Sequence, residues 1–359
     1  YIGKWHVDGP ARSGYIPPER HLGFDYWKVL DCTHDYNHSA YYAGESEKKL
    51  YWEGYDAIAQ TRDAQRYIRE HAGDKPFLLM LSWGPPHAPY GTAPAEYRAL
   101  YDPRQIALRP NVPAGEVARA REEQAQRLAR RAENDPRLRD ALGRMQQTTL
   151  EEDLAGYYAH CTALDACVGD LLATLQECGI REDTIFCFTS DHGDMLGSQG
   201  AFKKQQPWEE SIHVPFLLSY PGLLGESGRE LTAPIDAPDV MPTLLGLCGL
   251  EIPESVEGLD YAGYLQGDGD PSDGAALIMC PHPFGQWSAV RYGGREYRGL
   301  RTQRYTYTRT LHGPWLLYDN QKDPYQLENL VEQPAHAERV RELDAWLQRR
   351  LDAMGDEFL

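Results

Sequence analysis

Long apolar runs are missing from this 359-residue sequence. Nothing in it approaches the roughly 18 uninterrupted apolar residues that suggest a membrane-spanning helix, so a soluble globular chain with no membrane span is expected. Basic residues are scarce as well: 36 Lys and Arg face 54 Asp and Glu, a formal net charge of −18. That balance argues against a nucleic-acid-binding surface, because phosphate backbones are held by clustered Lys and Arg. The seven cysteines (Cys32, Cys161, Cys167, Cys178, Cys187, Cys248 and Cys280) include no C-x-x-C pair, which removes the usual zinc and redox arrangements. Cys161, Cys167 and Cys178 lie in a helical pattern, Cys187 in a strand pattern and Cys248 in an apolar run. Buried free thiols are therefore expected, with a disulfide left open. No targeting signal is legible either, since the chain opens at Tyr1-Ile2-Gly3-Lys4 without an initiator Met, a charged n-region or a cleavage site.

What is present suffices for a large core and one smaller appended unit, with 42% hydrophobic and 25% charged residues. From Gly54 to about Glu70, the residues Tyr55, Ile58, Ala59, Tyr67 and Ile68 keep helical spacing without an internal Pro, which predicts a helix. Pro76 to Trp83 follows as a continuous apolar run, the pattern of a strand buried on both faces. That strand empties into Gly84-Pro85-Pro86-His87-Ala88-Pro89-Tyr90. Between about Glu116 and Arg144, Ala, Arg and Glu dominate, predicting an exposed helical excursion interrupted near Asp135-Pro136. Leu154, Tyr157, Cys161, Leu164, Val168, Leu171 and Leu175 then recur at helical spacing up to a stop at Gly179, and Thr184–Thr189 reads as a second buried strand. Helix followed by strand points to a parallel sheet flanked by helices. From about Asp273 the pattern changes to short strands at Ala276–Cys280, Ser288–Tyr292, Tyr297–Arg301 and Tyr305–Arg309, closed by an amphipathic helix from about Ala335 to Leu351. The expected fold is α/β, with a mostly parallel sheet flanked by helices over residues 1–272. A smaller C-terminal α+β subdomain, an antiparallel sheet plus a helix, takes residues 273–359.

The stretch richest in chemistry is Thr189-Ser190-Asp191-His192-Gly193-Asp194, at the C-terminal end of a predicted strand, where α/β sheets place their ligands. An Asp and a His there can present a carboxylate and an imidazole to one metal while Gly193 turns the chain; taken alone, Asp191 serves equally as a cap. Lys4 and His6 share a face if Gly3-Lys4-Trp5-His6 ends a strand, pairing a fixed positive charge with an acid–base group. His87 sits in a Pro-flanked loop just after a strand. Lys203 and Lys204 bring positive charge near the D-H-G turn in a chain with only eight lysines. Together these groups suit a tetrahedral oxyanion beside a divalent cation: cations neutralise the anion, an imidazole protonates the leaving oxygen, and a metal polarises the remaining oxygens. Hydrolysis of a sulfate or phosphate ester fits best.

At these residues the chain resembles the sulfatases of the alkaline phosphatase superfamily. Gly3-Lys4-Trp5-His6 is similar to the family's G-K-W-H element, Pro86-His87-Ala88-Pro89-Tyr90 to its H-x-P-Y loop, and Ser190-Asp191-His192-Gly193 to its S-D-[HN]-G metal turn. Lys204 to Pro215 resembles K-x-x-x-[YW]-E-E-S-x-x-V-P, Asp239 to Thr243 resembles D-[IV]-x-P-T, and Leu317 to Leu330 resembles the C-terminal L-Y-D…D-P-x-E/Q-x-x-N-L signature. The resemblance runs nearly end to end and implies an alkaline-phosphatase-like fold. It implies that Asp191 and His192 are ligands of Ca2+ or another divalent cation. Lys4 and Lys204 would contact the sulfate, His87 would bind sulfate or protonate the leaving oxygen, and His6 would act on the nucleophile's hydroxyl during its regeneration. Spacing to Trp208 favours Lys204 over Lys203.

The family's nucleophile is a formylglycine made from the Cys or Ser of C/S-x-P-x-R, expected upstream of G-K-W-H together with two further metal-binding Asp residues. No C/S-x-P-x-R occurs in these 359 residues, and Cys280-Pro281-His282-Pro283-Phe284 lacks both the register and the Arg. The polypeptide is therefore expected to be an N-terminally truncated fragment, inactive alone and with apolar sheet edges exposed. Two alternatives stand beside a sulfuric ester hydrolase: a phosphonate or phosphodiester hydrolase of the same superfamily, and a non-catalytic carbohydrate-binding descendant. The expected partner is a small-molecule or carbohydrate sulfate ester. Asp31 to His38, with His282 and Trp287, are candidates for the lining of a sugar-binding cleft.

Overall fold

Strand β1 (Ile2–Lys4) lies between two parallel neighbours, β2 (Lys28–Leu30) and β5 (Leu81–Ser82), with Gly3 opposite Val29 on one side and Ser82 on the other. Beyond β2 the sheet continues antiparallel through β3 (Ala40–Ala43) and β4 (Leu50–Tyr51), in the order β4-β3-β2-β1-β5. The computed structural model describes residues 1–7, 14–132, 148–284, 287 and 294–358. They form two compact units, one of 1–108 with 125–184 and one of 109–124 with 185–359.

In the first unit, Tyr1, Trp5, Ile16, Trp27 and Val29 form a buried aromatic cluster around the sheet. Helix α1 (Asp56–His71) matches the predicted helix within two residues. Helix α2 (Ala114–Ala132), whose residues divide between the two units, occupies the start of the predicted excursion, whose interruption near Asp135-Pro136 lies outside the described residues. Helix α3 (Leu150–Glu177) starts on a capping box in which Thr149 and Glu152 satisfy each other's backbone amides. α1 and α3 pack through Ala57 and Ala163, both wholly buried, small enough to bring the helices together beside Tyr36 and Tyr55.

The run Pro76–Trp83 departs from expectation. Only Leu81 and Ser82 enter the ladder, and Leu78 and Met80 are 68% and 45% exposed while Phe77 and Leu79 are half-buried. The segment is covered on one face rather than two, and among the described residues its ladder pairs only with β1.

In the second unit, β6 (Phe186–Thr189) pairs antiparallel with β7 (Phe216–Ser219), a two-stranded arrangement where the helix–strand alternation suggested a parallel neighbour. Its residues are half-buried or exposed rather than fully enclosed. The C-terminal antiparallel sheet has the order β11-β10-β9-β8: β8 (Ala275–Cys280), β9 (Tyr297–Thr302), β10 (Tyr305–Thr310) and β11 (Gly313–Asp319). β11 has no counterpart among the strands expected from the sequence, and the strand expected at Ser288–Tyr292 lies outside the described residues. The closing helix (Ala337–Met354) packs Leu343, Leu347 and Leu351 against Leu300, Tyr307 and Leu317; each such leucine contributes about 1.5–3 kcal/mol. All seven cysteines are free thiols; Cys161 and Cys248 are exposed, against the expectation of burial. No helix among the described residues is long and apolar enough to cross a membrane.

Candidate active site

Three parallel strands of the first unit end side by side, and each delivers chemistry at its C-terminal end. β1 ends on Lys4, β2 runs on into Asp31, Cys32 and His34, and β5 runs into the His87 loop. The condition that would align Lys4 with His6 is not met, because β1 stops at Lys4 and His6 adopts a left-handed backbone with φ 51°. His6 is instead tied to the neighbouring strand end, its amide donating to the Asp31 carbonyl at 2.9 Å. His87 is half-buried, and its Nδ1 lies 2.9 Å from the Ala88 carbonyl. A carbonyl only accepts, so this bond puts the proton on Nδ1. The His34 ring stacks on that of His87, which brings the Asp31–His38 segment to the site.

The loop is held from behind by a residue that the sequence pattern does not single out. His160 on α3 is wholly buried; its Nδ1 is 2.5 Å from the Tyr55 hydroxyl and its Nε2 3.3 Å from the Pro89 carbonyl. Burial lowers its pKa to about 4, against the opposing pull of that carbonyl, so it is neutral at pH 7. Gly156, one turn earlier, is needed for the same approach, since a Cβ there would lie 2.5 Å from the Tyr90 carbonyl oxygen. The only trace of His160 in the sequence is a polar residue within the apolar stripe of α3.

In the second unit, Asp191 and His192 follow β6. The Asp191 carboxylate is 70% exposed and lies 3.5 Å from His192 Nε2. His192 Nδ1, 2.7 Å from the Gly193 carbonyl, carries the proton in that bond. Gly193 is obligatory: its amide donates to the Ser211 carbonyl, and a Cβ would sit 2.0 Å from the Glu210 carbonyl oxygen. The Trp208-Glu209-Glu210 segment is thus the bed of the turn. Burial alone would raise the Glu209 carboxyl, but hydrogen bonds from His213 and Arg301 hold it down at about 2. Glu210 is fastened by Asn111 and Arg109.

Lys203 and Lys204 differ in setting. Asp194 accepts the Lys203 amide at 3.0 Å, and the Lys203 ammonium is 3.9 Å from the same carboxylate with its side chain largely buried. Lys204 is half-buried. Trp287 stacks on Trp315 and donates its indole N–H to the Arg295 carbonyl at 3.1 Å, while His282 is exposed.

Residues 1–250 match the family model described as Sulfatase, and residues 197–353 match N-sulphoglucosamine sulphohydrolase, C-terminal. The chain is 41% identical over 361 residues to an ulvan-active sulfatase of Formosa agariphila, covering all of this chain and 64% of that protein. It belongs to the sulfatase family. Among solved structures, this sulfatase chain superimposes on the yidJ protein of Bacteroides fragilis with TM-score 0.79 and 25% identity, over 100% of this chain and 75% of the other. It superimposes on the phosphonate monoester hydrolase of Silicibacter pomeroyi with TM-score 0.65 and 25% identity, over 83% and 60%. The chain therefore spans just under two thirds of the Formosa protein's length.

The donor set bears on the implied cation. Asp191 and His192 offer one carboxylate and one imidazole nitrogen that can face a common point, which fits two positions of a divalent cation's shell. Calcium takes six to eight, mostly oxygen, ligands, and among the described residues no group of three or more His, Cys, Asp or Glu is gathered for a metal.

Proposed function

We propose that the whole protein is a sulfuric ester hydrolase acting on sulfated carbohydrates or aryl sulfates, with formylglycine as nucleophile and calcium as its ion. Residues 1–272 would serve as the catalytic domain and 273–359 as the smaller subdomain. Membership of the sulfatase family supports the reaction class. The observation that carries the site is the row of three adjacent parallel strand ends bearing Lys4, His34 and His87.

In this reading Lys4 and Lys204 hold the sulfate oxygens and offset charge in the transition state. His87 binds sulfate or gives the leaving oxygen a proton. His6 exchanges a proton with the nucleophile's hydroxyl. Asp191 and His192 hold the cation, which when bound supplies positive charge that polarises the sulfate oxygens.

The test is a substrate panel on the full-length protein: ulvan and other sulfated polysaccharides, sulfated sugars, aryl sulfates and phosphodiesters. Turnover led by a sulfate ester is expected. Preference for phosphodiesters over every sulfate ester sinks the reading in favour of a second one, phosphonate or phosphodiester hydrolysis, which the likeness to the Silicibacter enzyme favours. Calcium is tested by melting: added Ca2+ is expected to raise Tm, and Asp191→Ala to remove the gain. An equal gain in that variant would count against the ligand assignment.

A further inference from the structure

At the C-terminal end of β1, Gly3, Lys4, Ser39, Asp56, Gln60 and Gly84 contribute to the wall of a cavity of about 10 Å³ within the first unit. Two of these side chains carry oxygen acceptors that nothing among the described residues satisfies. Asp56 Oδ1 and Gln60 Oε1 have no hydrogen-bond partner there, and the residues are 1% and 3% exposed. They sit at i and i+4 on α1 and so share one face of the helix. β1 offers Gln60 no partner from Gly3, where a Cβ would lie 3.2 Å from Gln60 Oε1 and 2.1 Å from the Ser82 carbonyl oxygen. A buried acceptor left without a donor is costly, and more so if it is charged. The cavity has the volume that one water needs, and one water has two hydrogens for two acceptors.

We propose that this cavity is a binding site for a single buried water that donates to Asp56 Oδ1 and Gln60 Oε1, and that Asp56 acts through it as a positioning residue for Lys4. The second part rests on the reading of Lys4 as a sulfate ligand. A cation is the poorer occupant. Two side-chain oxygens fall far short of a full shell, and Lys4 lies on the same wall. The carboxylate also gains from a donor: burial, only partly opposed by bonds from Ser39 and from the backbone amides of Ala57 and Asp56, otherwise pushes the Asp56 carboxyl up to about 7. Held at the closed end of the cavity, the negative charge of Asp56 restrains the ammonium of Lys4 at the strand end.

The first measurement is a crystal structure of the full-length protein at a resolution that shows ordered waters. One peak at about 2.7–3.2 Å from both oxygens is expected. An empty cavity overturns the proposal, as does a peak with several oxygens at the shorter distances of a metal ion. The second is kinetics of Asp56→Asn and Gln60→Leu, each alone and combined with Lys4→Ala, so that one variant remains if the other fails to fold. Each single change is expected to raise KM for a sulfate ester about tenfold, the size of one hydrogen bond to a charged group, with a smaller change in kcat. In the Lys4→Ala background the further loss is expected to shrink below about twofold, as for residues acting through one another. Full multiplication of the losses overturns the positioning role. If Lys4→Ala alone leaves KM unchanged, the reading of Lys4 has failed, while the water still stands or falls on the density.

Discussion

The imidazole of His34 lies on that of His87 with ring centroids 5.0 Å apart and planes 8° from parallel. The stack joins the end of β2 to the loop after β5 and sets the tilt of the His87 ring. Aromatic pairs contribute about 0.5–1.5 kcal/mol, or roughly two- to tenfold in a rate that depends on ring orientation. His34→Ala in the full-length protein is expected to lower kcat on a sulfate ester by about that factor, and His34→Phe to restore most of it. Equal losses in the two variants would remove the stack as the cause.

The two adjacent lysines are expected to separate in kinetics. Lys203 is engaged with Asp194, so its loss disturbs the loop and acts mainly on stability. Lys204→Ala is expected to raise KM for a sulfate ester at least about tenfold, in keeping with a lost charge-assisted contact. A larger KM effect from Lys203→Ala than from Lys204→Ala would reverse the assignment.

His160 predicts a pH dependence of stability. Its pKa falls from 6.5 unfolded to about 4 folded, so the unfolded chain binds the proton more tightly. The neutral ring's contribution is fully present above pH 6.5 and lost as pH falls towards 4; about 2.5 units at 1.36 kcal/mol each sets an upper bound on the order of 3 kcal/mol. Urea unfolding at pH 7 and pH 4.5 is expected to show a larger drop for the unmodified protein than for His160→Gln. Parallel drops would show that His160 is not the linked group.

Two glycines are expected to answer oppositely to alanine. Gly193→Ala places a Cβ 2.0 Å from the Glu210 carbonyl oxygen, a collision costing about 1–3 kcal/mol, and should also diminish stabilisation by calcium. Gly169, inside α3 with nothing among the described residues within 4 Å of a Cβ, should gain about 0.5–1 kcal/mol as alanine. Denaturant midpoints of the two variants decide it, and a stabilised Gly193→Ala would refute the close approach.

Much of the chemistry is legible in the amino-acid sequence. The Lys4, His87 and Asp191-His192-Gly193 segments stand out because strand ends and their turns are encoded locally, by an apolar run followed by Gly, Pro or a polar cluster. The C-terminal strands at Tyr297 and Tyr305 are legible for the same reason, their alternation being a property of a few consecutive residues. His160 and Asp56 are not. A polar residue on the buried face of a helix shows no role until its neighbour across the packing is known, and those neighbours, Tyr55 and Pro89 for His160, lie far away in the chain.

By itself, then, the sequence determined the order and chemistry of the segments that make this a sulfatase-family chain, because those depend on residues covalently close together. Only the tertiary structure decided that β6 runs antiparallel to β7, that Leu78 and Met80 face outwards, that His6 leaves the line of Lys4, and that His34 covers His87. Each is a matter of which distant segment closes against which. The free energy of that choice is shared among many weak contacts, and no local run of residues encodes it.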